Sequence, residues 1–359
     1  MGIEHIPPTY VKENGDLTYV GGIFLEEKIK ELLSQYPFEV KQLYRGRGAW
    51  MIETDQGLKI MRPYEGSPER LKWDWSVKNK LKERGCKYID HIVKKNDESL
   101  FVTDEEEVKY IVTEWFGGRE CNMRDRQEVL KAVVNLAGIH RHMQGFSENI
   151  VQESALEQEN ILEEMQRRIR ELRTIRNYAA HKKQKNDFDR KYLDVYSRYN
   201  EEGNRAMDIL RDMDYSMIYE QCCKEKKLCH GDYNQHNVIL YKDRMAIVRF
   251  DHMRCEMQAY DLYVFMRKVL EKNRWNSGLG IAMLDAYMQV LPLDYRQMRC
   301  FYGFMLYPEK FWKIVNRYQN KRKSWISEQN MAKLDKVIRE QEARACFIQS
   351  LDAYCEKIE

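Results

Sequence analysis

The stretch that most constrains the fold is "HGDYNQHN" at residues 230–237. It places a carboxylate, Asp232, five residues ahead of an amide, Asn237, in a segment that opens with His230 and Gly231. In a loop of the form H-G-D-x-x-x-x-N the Asp can orient an attacking hydroxyl while the Asn turns back to hold a metal ion. Those are two of the parts that phosphoryl transfer requires. A chance match in a chain of this composition is on the order of one in a thousand. The flanks fit the same reading, since "KKLC" before it, "VILY" after it and "MAIVRF" at 245–250 are short strand-like runs.

The remaining chain divides by hydrophobic period. "FEVKQLY", "AWMIETD" and "LKIMRPY" between residues 38 and 64 alternate with Gly-containing turns and predict an antiparallel meander. Ser67 and Pro68 then read as cap and first residue of a helix bearing Leu71, Trp75, Val77 and Leu81. Two further strand-like runs, "SLFVTD" and "KYIVTEWF", lead to Gly117-Gly118, a natural place for the chain to change lobes. Beyond residue 125 the period is helical, with Val129, Ala132, Val133, Leu136 and Ile139 on one face. Residues 153–225 are charge-rich, strongly periodic and free of proline, and predict two long amphipathic helices packed as a hairpin on the outside of the larger lobe.

The resulting expectation is an α+β chain with a sheet-rich lobe at 1–116 and a helical lobe at 117–359 into which 153–225 is inserted. Composition narrows the function classes. No apolar run is long enough to span a membrane, and the first residues read as lacking a secretory signal. Sixty basic against 57 acidic residues leave a net charge of +3, too little to point to a nucleic-acid partner. Nine cysteines without a C-x-x-C pair predict reduced, mostly buried thiols rather than a zinc site. His140 and His142 share a helix without a third ligand nearby in sequence, so satisfied helix-face histidines are expected there. His236 would line the cleft beside the loop.

The order of strands, the glycine hinge, "LAGIHRHM", "HGDYNQHN" and "AYDLYVFMRKV" resemble the aminoglycoside phosphotransferase and choline kinase group of kinase-like folds. "ETDQGLKIMRPYEGSPERL" and "LYPEKFWKIVNRYQNKRKSW" are more closely similar to the CotS-type spore coat proteins of endospore-forming Firmicutes. The resemblance runs from about residue 20 to 350 and implies a two-lobed protein kinase-like fold. It gives Asp232 the catalytic-base position, Asn237 a metal-ligand position and His230 the role of loop anchor. Asp261 would brace the loop from a helix start, and the backbone of Glu114, Trp115 and Phe116 would face an adenine ring. Gly46 and Gly48 in "RGRG" would cover phosphates, or form an ordinary hairpin turn.

Two departures stand out. Active relatives end the strand after the loop in a carboxylate that binds magnesium, and here "VRFD" puts Arg249 in that position. A guanidinium has five donors and no acceptor, so it cannot ligate a cation. Asp251, two residues on, would share its strand face and could approach the vacated position. The phosphate-binding Lys of the third strand aligns with Arg62, with Lys59 the alternative register; Glu69 and Asp74 are both candidates for the acidic partner on the following helix.

The resemblance therefore implies a structural or assembly protein of the spore coat on a pseudokinase-like scaffold, with no cofactor expected. Its partners would be other coat proteins, and its aromatic and methionine content would allow self-association. It would be made in the mother-cell cytoplasm and deposited on the coat. The alternative is an ATP- and Mg²⁺-dependent phosphotransferase acting on a small hydroxylated molecule or a coat protein, with Asp232 as base.

Overall fold

The computed structural model describes residues 10–13, 16–46, 48–147, 161–320 and 328–358. The start of the expected insertion, 153–160, and the basic residues 321–325 lie outside that range. The chain divides into two units, residues 1–119 with 241–248, and residues 120–240 with 249–359. The first unit thus runs three residues past the expected lobe boundary and takes back a segment that follows the 230–237 loop.

The first unit opens with β1 (Tyr10–Glu13), β2 (Asp16–Tyr19) and α1 (Val20–Leu33), followed by β3 (Val40–Gly46), β4 (Ala49–Thr54) and β5 (Gly57–Pro63). After α2 (Pro68–Glu83) come β6 (Val102–Thr103) and β7 (Lys109–Glu114), giving an antiparallel sheet of order β3-β4-β5-β7-β6. The predicted meander is present, because alternation gives each strand an apolar residue for both sheet faces. Ile29, Leu33, Trp50, Met61 and Val112 form a buried cluster between α1 and one face. Leu71 of α2, Ile92 and Ile111 form another on the opposite face. The Ser67 hydroxyl accepts from the Arg70 amide at 3.1 Å and Pro68 begins α2, so the local start signals hold.

β8 (Arg119–Glu120) leads into α3 (Arg126–His142), whose first amides are capped by the Asp125 carboxylate. The insertion consists of α4 (Ile161–His181) and α5 (Asp187–Asp212), with a shorter α6 (Tyr215–Lys224) that the periodicity did not separate. A reciprocal capping box between Asn186 and Asp189 starts α5.

Two short strands, β9 (Leu228–Cys229) and β10 (Val238–Tyr241), flank the loop, and β11 (Arg244–Ile247) follows. After a 3-10 turn at Phe250–His252, β12 (Arg254–Cys255) pairs antiparallel with β9. The chain closes with α7 (Ala259–Lys272), α8 (Ser277–Met288), α9 (Tyr295–Leu306), α10 (Glu309–Gln319), α11 (Glu328–Arg339) and α12 (Gln341–Cys355). The inner face of the α4–α5 hairpin is core: Leu172, Phe188, Tyr192 and Tyr199 pack against Phe311 and Val315 of α10 and Leu334 of α11. Among the described residues no helix is long and apolar enough to cross a membrane.

Candidate functional site

The loop of the second unit is fixed from below before any ligand is considered. Asp261, in the first turn of α7 and fully buried, accepts the amides of His230 at 2.6 Å and Gly231 at 3.0 Å. His140 of α3 lies 3.1 Å from the same carboxylate through Nε2 and 2.8 Å from the Tyr287 hydroxyl through Nδ1. A carboxylate can only accept, so Nε2 carries the proton and the buried network is paired throughout. Burial raises the Asp261 pKa, but the hydrogen bond and charge of His140 and the His230 amide outweigh it, and the carboxyl is held below its ordinary value. The His230 ring packs 4.6 Å from Phe250, and its Nδ1 accepts the Asp232 amide at 3.2 Å. Tyr233 anchors the other side of the loop, its hydroxyl donating to the Ala132 carbonyl at 2.8 Å.

Asp232 and Asn237 come together as their spacing predicts. The Asn237 amide donates to the Asp232 carbonyl at 2.9 Å and to its carboxylate at 3.1 Å, and Asn234 donates to the other carboxylate oxygen at 2.8 Å. Lys268, on α7, stands 3.8 Å from that same oxygen. Burial lowers the Lys268 pKa and Asp232 pulls it back up. Sequence reading passed over Lys268, although the signal exists: it lies seven residues, two helical turns, after Asp261 and so shares its face. His236 is exposed and pairs with Glu120 at 2.9 Å.

The segment after the loop differs from expectation. The strand stops at Ile247; Arg249 has a left-handed backbone with φ 65°, and residues 250–252 form the 3-10 turn. The rule that residues two apart share a strand face therefore does not apply to Arg249 and Asp251. The Arg249 side chain is half exposed, and its Nε is 3.7 Å from the Asp251 carboxylate. The position that would present a carboxylate to a metal presents a guanidinium associated with the next acid along the chain.

In the first unit, Arg62 of β5 is registered against Ile111 of β7, on the sheet face that α2 covers. Lys59 is on the opposite face, buried, with its ammonium 5.5 Å from the Phe38 ring, and burial lowers its pKa. Asp74 is buried in an ion pair with Lys78 at 3.3 Å, and Lys78 also reaches Asp90 at 3.0 Å. Glu69 stays in the first turn of α2, where backbone and Ser67 hydrogen bonds lower its pKa. The Glu114 and Trp115 amides donate to the carbonyls of His91 and Leu58, so these two donors are already paired within the unit. Phe116 packs between Tyr88 and Tyr241 with ring centroids at 6.3 and 5.6 Å. Gly46 closes β3, and Gly48 takes a left-handed turn at φ 73°.

His140, Cys229 and Asp261 form a buried group of three side chains able to bind metal. Their atoms are committed elsewhere: Asp261 and His140 as above, and the Cys229 thiol to the carbonyls of Glu256 and Met257, both at 3.6 Å. Burial pushes the Cys229 thiol well above its usual pKa, which disfavours the thiolate a metal would need. The neighbouring Glu256 is also buried and is pushed up to about 7 by burial, against the pull of Arg254 and the Tyr215 hydroxyl at 2.5 Å. Its folded pKa exceeds its unfolded one, so stability should fall as pH rises from about 4.5 to about 7, by up to about 3 kcal/mol. Glu256→Gln keeps the acceptor for Tyr215 and should flatten that dependence in urea titrations across this range.

This geometry, an acid-braced H-G-D loop in one unit and an antiparallel sheet in the other, has known counterparts. The family described as "Spore coat putative kinase YutH" matches residues 29–351. This chain belongs to that spore coat family. It is 24% identical over 343 residues to spore coat protein S of Bacillus subtilis, covering 93% of this chain and 96% of that protein. The fold is that of the kinase-like phosphotransferases. An aminoglycoside phosphotransferase from Alicyclobacillus acidocaldarius superposes with a TM-score of 0.82 at 19% identity, over 91% of this chain and 96% of that one. A spectinomycin phosphotransferase in complex with ADP and spectinomycin superposes with a TM-score of 0.61 at 12% identity, over 90% and 98%. The predicted family and the kinase-like α+β fold are thus both found.

Proposed function

We propose that this member of the spore coat family serves as a structural or assembly component of the coat and that its kinase-like scaffold is catalytically weak or inactive. The observation that carries this reading is Arg249, half exposed and 3.7 Å from Asp251 where a metal-binding carboxylate would stand. A fixed positive charge at that point repels the divalent ion that would neutralise the phosphates during transfer. The family relationship supports deposition on the spore coat, with synthesis in the mother-cell cytoplasm and other coat proteins as partners. Neither ATP nor Mg²⁺ is required for such a role.

The test is thermal unfolding with ATP, with and without Mg²⁺. A ligand at a hundred times its dissociation constant stabilises by about 2.7 kcal/mol, and no magnesium-dependent rise is expected for the native chain. Arg249→Asp restores a carboxylate, and Asp accepts a left-handed backbone more readily than Arg. That variant should acquire the magnesium-dependent shift. A clear shift in the native chain would overturn the proposal.

A second reading is favoured by the loop itself, where Asp232 and Asn237 keep their mutual hydrogen bonds. On it, the protein is an ATP-dependent phosphotransferase acting on a small hydroxylated molecule or a coat protein, with Asp232 as base. It predicts phosphate transfer that Asp232→Ala abolishes. Transfer that survives this substitution rules out that mechanism.

A further inference from the structure

Four of the nine cysteines, Cys222, Cys223, Cys229 and Cys255, gather where α6 meets the β9 and β12 strand pair, and all are free thiols. Cys255 stands opposite Leu228 in the antiparallel register. The turn that ends α6 runs directly into Leu228, closed by the Lys227 amide donating to the Cys222 carbonyl at 2.9 Å, and α6 packs on β12. This brings Cys223 onto Cys255, and their side chains share a hydrogen bond. A disulfide needs two Cβ atoms about 3.5–4.5 Å apart, and thiols already in hydrogen-bond contact reach that by small side-chain rotations.

The two thiols differ in reach and charge. Cys223 is partly exposed, whereas Cys255 is 2% exposed. The hydrogen bond from Cys255, joined by one from Tyr219, holds the Cys223 thiol down to about 7 against the effect of burial. A thiolate that solvent can reach is the form that attacks oxidants. Cys255 is held protonated by that same bond, by burial and by the neighbouring Cys223 charge. Once Cys223 is oxidised to the neutral sulfenic acid, that charge no longer holds the Cys255 proton. The other two thiols are set apart. Burial pushes Cys222 up to about 12, and it pushes Cys229 well above its usual value while the thiol is bonded to the Glu256 and Met257 carbonyls. Among the described residues no three cysteines lie close enough to share a metal ion, so the cluster reads as a pair rather than a metal site.

We infer that Cys223 and Cys255 form a peroxide-sensitive thiol pair that closes to a disulfide and staples α6 to β12. The Cys223 thiolate attacks one oxygen of hydrogen peroxide; an S–O bond forms, the O–O bond breaks, and the departing oxygen takes up a proton and leaves as water. The Cys255 sulfur then attacks the sulfenic sulfur; the S–S bond forms, the S–O bond breaks, and hydroxide leaves with the Cys255 proton as a second water. Two thiols lose two protons and two electrons, and one peroxide becomes two waters. No residue of the H-G-D loop takes part, so the pair stands whether or not the scaffold transfers phosphate.

The test treats the reduced full chain with hydrogen peroxide, blocks the remaining thiols with N-ethylmaleimide and maps linked peptides by mass spectrometry with and without dithiothreitol. A peptide joining Cys223 to Cys255 is expected as the first disulfide. The melting temperature should rise by roughly 5 °C and return on reduction, because the crosslink joins residues 32 positions apart in the unfolded chain. Cys223→Ser should abolish both the linkage and the rise, and Cys222→Ser should change neither. In Cys255→Ser the reaction should stop halfway, leaving a Cys223 sulfenic acid that dimedone traps; should that buried substitution prevent folding, Cys223→Ser decides alone. The pair is overturned by a Cys223 that stays reduced while the exposed Cys346 is oxidised, by a linkage of Cys223 to Cys222 or Cys229, by a melting rise that survives Cys223→Ser, or by an oxidised chain that melts no higher than the reduced one.

Discussion

Asp261→Ala should destabilise the second unit by about 3–5 kcal/mol. The carboxylate is fully buried and accepts from the His230 amide, the Gly231 amide and His140 Nε2 at 2.6, 3.0 and 3.1 Å. Removing it leaves three buried donors without an acceptor, each costing about 1–3 kcal/mol, and the shorter side chain adds a void. Asp261→Asn keeps the volume and one acceptor and should lose less. The depressed pKa sets a pH signature as well. The carboxylate's contribution is complete above the ordinary Asp range and is lost as pH falls through the lower folded value. Urea unfolding near neutral pH, with hydrogen exchange at the His230 and Gly231 amides, reads both effects. A loss below about 1 kcal/mol, or unchanged exchange at those amides, would show that the loop does not depend on this brace.

The second large effect is expected at Gly231. Its backbone has φ 81°, and a Cβ placed there would lie 1.9 Å from the carbonyl oxygen of His252 and 2.6 Å from the carbonyl carbon. The obstacle is main chain, which cannot swing aside as a side-chain tip would. Gly231→Ala should therefore cost about 3 kcal/mol or more, combining left-handed strain of about 1–2 kcal/mol with displacement of the 250–252 turn. Gly145→Ala provides the comparison: φ is 61° there, but nothing lies within 4 Å of the added carbon. Only the conformational part, about 1 kcal/mol, should appear. Equal melting temperatures for the two variants would contradict the packing argument.

Together these contacts fix the shape of the loop from within the second unit. Asp261 accepts the His230 and Gly231 amides, Tyr233 donates to the Ala132 carbonyl, and Gly231 fits closely against the His252 carbonyl.

Much of this was legible in the residues. Apolar alternation in "AWMIETD" and "LKIMRPY" dictated strands because a two-faced sheet must bury every second side chain. Ser67 and Pro68 marked a helix start, because unpaired first-turn amides need a cap. "HGDYNQHN" fixed which carboxylate and amide would meet, since five residues of tight loop leave few alternatives. Arg249 was equally visible, because substitution of a guanidinium for a carboxylate changes donor for acceptor whatever the fold.

Only the tertiary structure decided the rest, since it turns on which distant elements come together. The backbone of Arg249 leaves the strand by a left-handed residue, which no period in "VRFD" announces, and this cancels the strand-face argument for Asp251. Lys268 meets Asp232 across 36 residues of sequence, and Lys78 joins Asp74 of its own helix to Asp90 beyond it. Periodicity tells a side chain to leave water; it does not say which neighbours it will find, and those neighbours decide whether a buried charge is a brace, a pair or a site.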